Sequence, residues 1–326
     1  MVGIENMVAP FIVIVVGGGP AAWAAALYCA RAALSTLVLE GRLDGAVLPG
    51  GQLMTTTEVE NYPGVPHVQG WELVNRMKEQ AIEFGAIVVE ETATRVDYAG
   101  RIVHDSSGAS HGFKALILAT GASARYLGLP SEAHFMNRGV SACATCDGAL
   151  PRFRGQPLVV VGGGDTAMEE AAFLSKFGSE VHIVHRGAAF TKASAVMAQR
   201  VLALPNVRPH YNVTVAEVLG TDAAGVTGVK LSTDEVITCA GMFVAIGHTP
   251  NSQLFPGEKD EQGYIVHKNH TETSIPGVFA AGDVADHRYR QAVTAAASGC
   301  QAAIDVARSH TSATPSMPSM PTIERQ

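Results

Sequence analysis

Cysteine is scarce in this chain. Five occur in 326 residues, scattered as Cys29, Cys143, Cys146, Cys239 and Cys300. That excludes a disulfide framework and fits a reducing, cytoplasmic compartment with one special pair, because only Cys143 and Cys146 are close in sequence. Structural zinc needs four ligands at metal spacing. The three lone cysteines lack such company, so no metal is expected and they read as small buried core residues. Basic charge is also in deficit, 23 Lys and Arg against 30 Asp and Glu for a net charge of −7. Nucleic acid is bound largely through phosphate neutralisation, so it is not an expected partner. No unbroken apolar run is long enough for a membrane span of ~20 residues. The apolar stretch from Val8 to Leu39 is interrupted by Gly17-Gly18-Gly19-Pro20 and carries Arg31, and only Glu5 is charged before it, unlike a signal peptide. Neither membrane nor secretion is expected. Glycine is plentiful at 34 but follows no repeat, and 47% hydrophobic residues exclude a disordered chain.

A chain of this length is expected to hold about two domains. Phe11-Ile12-Val13-Ile14-Val15-Val16 is a continuous apolar run, the mark of a strand buried on both faces of a parallel sheet. A glycine turn follows, then an Ala-rich helix over 21–33 and a short strand Leu37-Val38-Leu39 ending at Glu40. The pattern returns as strand 158–161, the turn Gly162-Gly163-Gly164, a helix from Asp165 to about Lys176 and strand 181–184. Further buried strands are predicted at 115–118, 242–245 and 278–280, and a long helix over 292–309. The Pro-, Ser- and Met-rich tail from Thr311 to Gln326 reads as a frayed terminus. The fold class is α/β, with two Rossmann-like, three-layer dinucleotide-binding domains.

Gly17-x-Gly19-x-x-Ala22 has dinucleotide-fingerprint spacing: one glycine for the turn, one for backbone approach to a pyrophosphate, and a small residue for helix–strand packing. Glu40, at the end of the next strand, can hold both ribose hydroxyls and repels a 2′-phosphate. FAD or NAD fits there and NADP does not. The second motif, Gly162-x-Gly164-x-x-Ala167, has His185 and Arg186 where the first has its acid. Arg186 can pair with a 2′-phosphate, which points to NADPH.

Cys143-Ala144-Thr145-Cys146 is followed at once by Asp147. Thiols at this spacing can close a small disulfide ring. One can be activated as a thiolate and the other can resolve a mixed disulfide. An adjacent acid can move the proton.

Taken in order, several stretches resemble the low-molecular-weight thioredoxin reductases over nearly the whole chain. They are Gly50-Gly51-Gln52-Leu53, Glu60-Asn61-Tyr62-Pro63-Gly64, Ala119-Thr120-Gly121, Cys143-Ala144-Thr145-Cys146-Asp147-Gly148, Gly162-Gly163-Gly164-Asp165-Thr166-Ala167, Ala245-Ile246-Gly247-His248-Thr249-Pro250-Asn251, Gly282-Asp283-Val284 and Tyr289-Arg290-Gln291-Ala292. The resemblance implies an FAD domain built from 1–126 and 253–326, the latter including the tail. An NAD(P)H-binding domain over 127–252, carrying the CxxC, is inserted between them. It implies a homodimer whose two domains rotate between a conformation that exposes the dithiol and one that brings nicotinamide to the flavin. Gly17, Gly19, Pro20, Ala21 and Glu40 are then expected at the ADP half of FAD. Gln52, Asn61, Asp283, Arg290, Gln291 and Ala292 are expected along the flavin and ribityl portion, with Gly51, Leu53, Ala119, Thr120, Gly121 and Gly282 completing the site. Gly162, Gly164, Asp165, Thr166, Arg186, Lys192, Ile246 and Gly247 are expected at the nicotinamide nucleotide. Cys146 is expected to exchange electrons with the flavin, Cys143 to attack a thioredoxin-like protein disulfide and Asp147 to move the proton.

The chain departs from the family where His-Arg-Arg, an aromatic and Arg-Ala-Ser are usual. It reads His185-Arg186-Gly187-Ala188-Ala189-Phe190-Thr191-Lys192-Ala193-Ser194. One arginine fork is missing and the remaining cation, Lys192, is displaced by an inserted position. Loss of one charge-assisted contact costs about 1.5–3 kcal/mol, roughly tenfold to 150-fold in affinity. NADH, a second FAD or a ferredoxin donor therefore stay open beside NADPH, as does a non-enzymatic thiol sensor. Trp23 reads either as a core residue or as one that narrows the approach to the FAD, and the loop at Thr233 and Asp234 is short for the family.

Overall fold

The computed structural model describes residues 11–43, 49–56, 59–65 and 67–311. Apart from Thr311, the tail read as frayed lies outside the described residues. Contacts divide the chain into two compact units. One takes the residues up to Met54, Trp71–Ala122 and those from Pro250 onward; the other takes Thr55–Gly70 and Ser123–Thr249.

The first unit is organised by the apolar run at its start. Phe11–Val16 forms a strand with parallel neighbours on both sides, Thr36–Leu39 and Ser110–Leu118. Ile87–Val89 pairs beyond the former and Val278–Ala280 beyond the latter, so five strands run parallel. Ala93–Asp97 and Ile102–Asp105 add an antiparallel meander on the first half of Ser110–Leu118. Alternation along a strand sends successive side chains to opposite faces. Val13 and Val15 pack with helix residues Ala22, Ala26, Val74 and Ala302, while Ile14 and Val16 pack with Val103, Phe113 and Phe255. The helices on the first face are Pro20–Arg31, Gly70–Glu83 and Ala292–Thr311. Trp23 is 1% exposed within this layer, as expected of a core residue. Cys29 is buried there too and its thiol is pushed up to about 12 by burial. Cys300 corrects the expectation of three buried cysteines. It is only half-buried, at the rim where the Tyr28 hydroxyl bonds its thiol.

The second unit repeats the plan with five parallel strands. In spatial order they are Val207–Tyr211, Val181–His185, Leu158–Gly162, Gly241–Ala245 and Val140–Ser141. Leu158, Val160 and Phe243 face the helix Asp165–Leu174 through Ala167, Met168 and Ala171. Val159, Val161 and Val244 face a three-stranded antiparallel sheet of Val215–Thr221, Gly225–Leu231 and Val236–Thr238 through Val218, Val229 and Ile237. Cys239 is buried in that second layer. The predicted strands are all present. Ser110–Leu118 is longer than its apolar half suggested, because its polar first residues pair with the meander. No helix among the described residues is long and apolar enough to cross a membrane.

Phe243 is fully buried and meets Phe153 edge-on, with ring centroids 5.2 Å apart. Phe243→Ala is expected to destabilise the chain by about 3–5 kcal/mol, since the cavity cannot close between sheet and helix. Urea unfolding followed by circular dichroism checks this.

Candidate active site

Parallel strands deliver their following loops to one edge of a sheet. In the first unit that edge collects Gly17–Gly19 after Val16, Glu40 after Leu39, Ala119–Gly121 after Leu118 and Ala281–Asp283 after Ala280. Gly17 has φ +137°, and a Cβ there would overlap the Ala119 carbonyl, so the turn excludes other residues. Gly19 is different. It caps the helix Pro20–Arg31 in extended conformation, and a Cβ on it would meet nothing nearer than the Gly50 carbonyl at 3.7 Å. The backbone there is open to a close-lying group, above a helix start with Pro20 in its first turn. Glu40 folds against Gly18 and its carboxylate takes a 2.5 Å ion pair from Lys78. Lys78 also reaches Glu90 and sits 5.9 Å from the centre of the Trp23 ring. Sequence reasoning missed Lys78, since nothing in the helix Gly70–Glu83 announces a partner for Glu40.

Asp283 begins the turn after the last parallel strand and sits in a short helical turn, Gly282–Val284. Burial, reinforced by Asp286 and opposed by Arg290, pushes its carboxyl up to about 7. Its Oδ1 is a buried oxygen with no protein partner. Burying such an atom without a hydrogen bond is costly, so the site suits a ligand hydroxyl or N–H. Arg290, Gln291 and Ala292 lead into the helix Ala292–Thr311, and the Gln291 side-chain amide donates to the Tyr289 carbonyl. Gly51, Gln52 and Leu53 form the helical turn Gly51–Thr55. Thr120 is occupied internally: its hydroxyl donates to the Asn251 carbonyl at 2.6 Å, and the Asn251 side chain donates to the Thr120 carbonyl. Asn61 is not brought to this edge by any strand; it lies in Thr55–Gly70, which packs with the second unit.

The second sheet has the same construction. Gly162–Gly164 follow Val161, His185 ends Val181–His185 with Arg186 next, and Ile246-Gly247 follow Ala245. The His185 ring lies on Gly163 closely enough that a Cβ there would overlap the imidazole. The loop after His185 then folds back. The ring nitrogen meets the Ala189 carbonyl at 3.1 Å, Phe190 packs between His185 and Tyr211, and the Lys192 backbone pairs with Gly164. Asp165, beside Thr166 at the start of the helix, accepts from the Ser194 N–H at 2.7 Å. Lys192 is thereby brought to the glycine turn through its backbone, and Arg186 follows the His185 ring that lies on Gly163; both side chains are solvent-exposed.

The edge strand of this sheet, Val140–Ser141, ends two residues before the CxxC. Cys143 and Cys146 form a disulfide, with their Cα atoms 5.3 Å apart, over the one-turn helix Ala144–Asp147. Ala144 is wholly buried among Ala167, Met168 and Leu174, which pins the ring to the next helix. Asp147 is held by the Ser141 hydroxyl, which donates to its carboxyl at 2.5 Å. Burial raises the Asp147 carboxyl and this hydrogen bond opposes the rise. Ser141 was missed by the sequence reading. The only available signal was a hydroxyl residue shortly before the cysteine pair. Among the described residues no group of His, Cys, Asp and Glu could hold a metal ion.

Two glycine turns and a CxxC disulfide thus lie at the carboxyl edges of parallel sheets. Residues 11–299 match the pyridine nucleotide-disulphide oxidoreductase family. The chain is 47% identical over 309 residues to a protein named thioredoxin reductase 1, mitochondrial, from Arabidopsis thaliana, covering 89% of this chain and 81% of that one. It is also 47% identical over 312 residues to a thioredoxin reductase of Escherichia coli O157:H7, covering 90% and 94%. This chain is a member of the thioredoxin reductase family. Solved thioredoxin reductases agree: that from Giardia duodenalis superposes with TM-score 0.85 at 37% identity over 92% of this chain and 99% of its own. That from Streptococcus pyogenes gives 0.83 at 36% over 93% and 98%. The Cys143–Cys146 disulfide is thus present in a thioredoxin reductase-type oxidoreductase.

The raised carboxyl of Asp283 gives a pH signature. An acid lifted from the usual 3.8 to about 7 stabilises the fold below pH 4, and that contribution is lost as pH rises through 7. In flavin-free protein, Asp283→Asn is expected to raise the thermal midpoint at pH 8 and leave it nearly unchanged at pH 4, as read by calorimetry.

Proposed function

We propose that the protein passes electrons from NADPH through FAD to Cys143–Cys146 and on to the disulfide of a thioredoxin-like partner. The observation that carries this reading is the Cys143–Cys146 disulfide beside a half-buried Asp147, at the edge of the sheet that bears the second glycine turn. FAD fits the first unit. Gly19 leaves room for a pyrophosphate, Glu40 lies against the turn where an adenosine ribose would meet it, and the unpartnered Asp283 oxygen suits a polar group of the flavin portion. Bound there, FAD would supply a two-electron carrier between nicotinamide and disulfide.

The exchange with the partner uses this chain's own groups. In the dithiol state Asp147 takes the Cys143 proton, and the Cys143 thiolate attacks one sulfur of the partner disulfide. That S–S bond breaks, a mixed disulfide forms and the released sulfur takes the proton from Asp147. Asp147 then takes the Cys146 proton, Cys146 attacks the Cys143 sulfur and the ring disulfide closes. The second partner sulfur leaves with that proton. Two electrons and two protons reach the partner. A carboxyl raised by burial lies closer to thiol range than an exposed one, which eases both transfers.

Arg186 and Lys192 serve as the cations for the 2′-phosphate of NADPH. NADH is the second reading, favoured by Gly187: a Cβ at that position would already stand 2.9 Å from the His185 ring, so a third basic side chain has no ready place. Two measurements test the scheme. Cys143→Ser is expected to keep flavin reduction by the nicotinamide and lose disulfide reduction; full retention of the latter would sink the assignment. Arg186→Ala is expected to raise KM for NADPH about tenfold to 150-fold and leave KM for NADH unchanged. Equal effects on both would show that Arg186 holds no 2′-phosphate.

A further inference from the structure

Asp147 depends on a residue outside the CxxC. Ser141 is 7% exposed and sits at the end of the edge strand, paired with Phe243 of the neighbouring strand. Its hydroxyl has two well-formed bonds. It donates to Asp147 Oδ2 at 2.5 Å, and it accepts from the backbone N–H of Cys143 at 3.0 Å. One oxygen therefore ties the first residue of the CxxC to the acid that follows its last. Both bonds use atoms outside the disulfide, so neither requires the S–S bond.

The surroundings give the carboxyl little else. A cavity of about 40 Å³, lined by Asp147, Ser141, Asn137, Thr56 and Arg152, lies beside it and is large enough for one water. Arg152 is the other charged residue that lines this cavity. The Tyr126 phenol is pushed up by burial, by Glu132 and by Asp147. Glu132 is itself committed to the backbone N–H groups of Leu127 and Gly128. Cys143 and Cys146 join these groups once reduced. Ser141 is thus the residue that orients the carboxyl, and a hydroxyl donor favours its ionised form.

We propose that Ser141 is a positioning residue of the dithiol centre, its hydroxyl holding the Asp147 carboxyl in place for proton transfer while anchoring the backbone of Cys143. The proposal rests on Asp147 being the proton carrier. The bond stabilises the carboxylate, so removing it raises the pH at which Asp147 ionises.

The test uses the flavin-loaded enzyme and a thioredoxin disulfide as substrate. The pH profile of disulfide reduction is measured for the wild type, Asp147→Asn, Ser141→Ala and Ser141→Thr. The limb that Asp147→Asn abolishes is expected to move to higher pH by about one unit in Ser141→Ala, the equivalent of one charge-assisted bond. Flavin reduction by NADPH is expected to stay within about twofold, since the group acts on thiol protons. Ser141→Thr keeps the hydroxyl and is expected to restore the limb, which separates the role from mere packing. A limb that Asp147→Asn removes but Ser141→Ala leaves in place would overturn the role of Ser141 alone. Equal slowing of flavin reduction and disulfide reduction in Ser141→Ala, without recovery in Ser141→Thr, would reduce the residue to a structural one and overturn it as well. A profile with no limb removed by Asp147→Asn would overturn both this proposal and the assignment of Asp147 beneath it.

Discussion

Strands buried on both faces leave little room for polar chemistry along their length. Val13 to Val15 and Leu158 to Val160 are fully covered, so a polar side chain there would lose water without gaining a partner. Charge and hydrogen-bonding capacity are confined to the carboxyl edge, where the chain turns out of the sheet. This constraint places Gly17, Glu40, Thr120 and Asp283 along one edge and Gly162, His185, Gly247 and the approach to Cys143 along the other. The helix starts at Pro20 and Asp165 meet those same edges, so open N–H groups lie beside each glycine turn.

Two half-buried acids sit at these edges under different conditions. Asp147 has a hydroxyl donor, which limits how far burial raises it. Asp283 has a bare oxygen and rises to about 7. The contrast follows from what each faces. The first is held within a unit that supplies its own partner, Ser141; the second has a free lone pair at an edge whose glycine turn is built for a dinucleotide. Glu40 is a third case. It is neutralised by Lys78, so an acid suited to sugar hydroxyls is held in place by a salt bridge at little exposure.

Much of the fold was legible because it rests on local signals. The run Phe11–Val16, its glycine turn and the Ala-rich helix satisfy strand, turn and helix preferences together, and the second copy at Leu158–Leu174 does the same. Cys143 and Cys146 were legible from spacing, which alone permits ring closure. What escaped depends on distant parts of the chain. Lys78 meets Glu40 only because a helix packs beside the first strand pair, and neither residue type nor spacing indicates the pairing. The folded-back loop from His185 to Lys192 was read as a set of cations; its aromatic packing on Tyr211 comes from a strand neighbour. Cys300 looked like the other lone cysteines and differs because its position on the helix faces Tyr28 at the rim.

The amino-acid order by itself determined the two dinucleotide turns, the redox pair and the acid beside it, since each depends on residues within a few positions of one another. Only the tertiary structure decided which oxygen is left bare at Asp283, which cation holds Glu40 and which hydroxyl serves Asp147. Those outcomes turn on burial and on partners brought together by sheet register, and a hydrogen bond selects its partner by distance in space rather than along the chain.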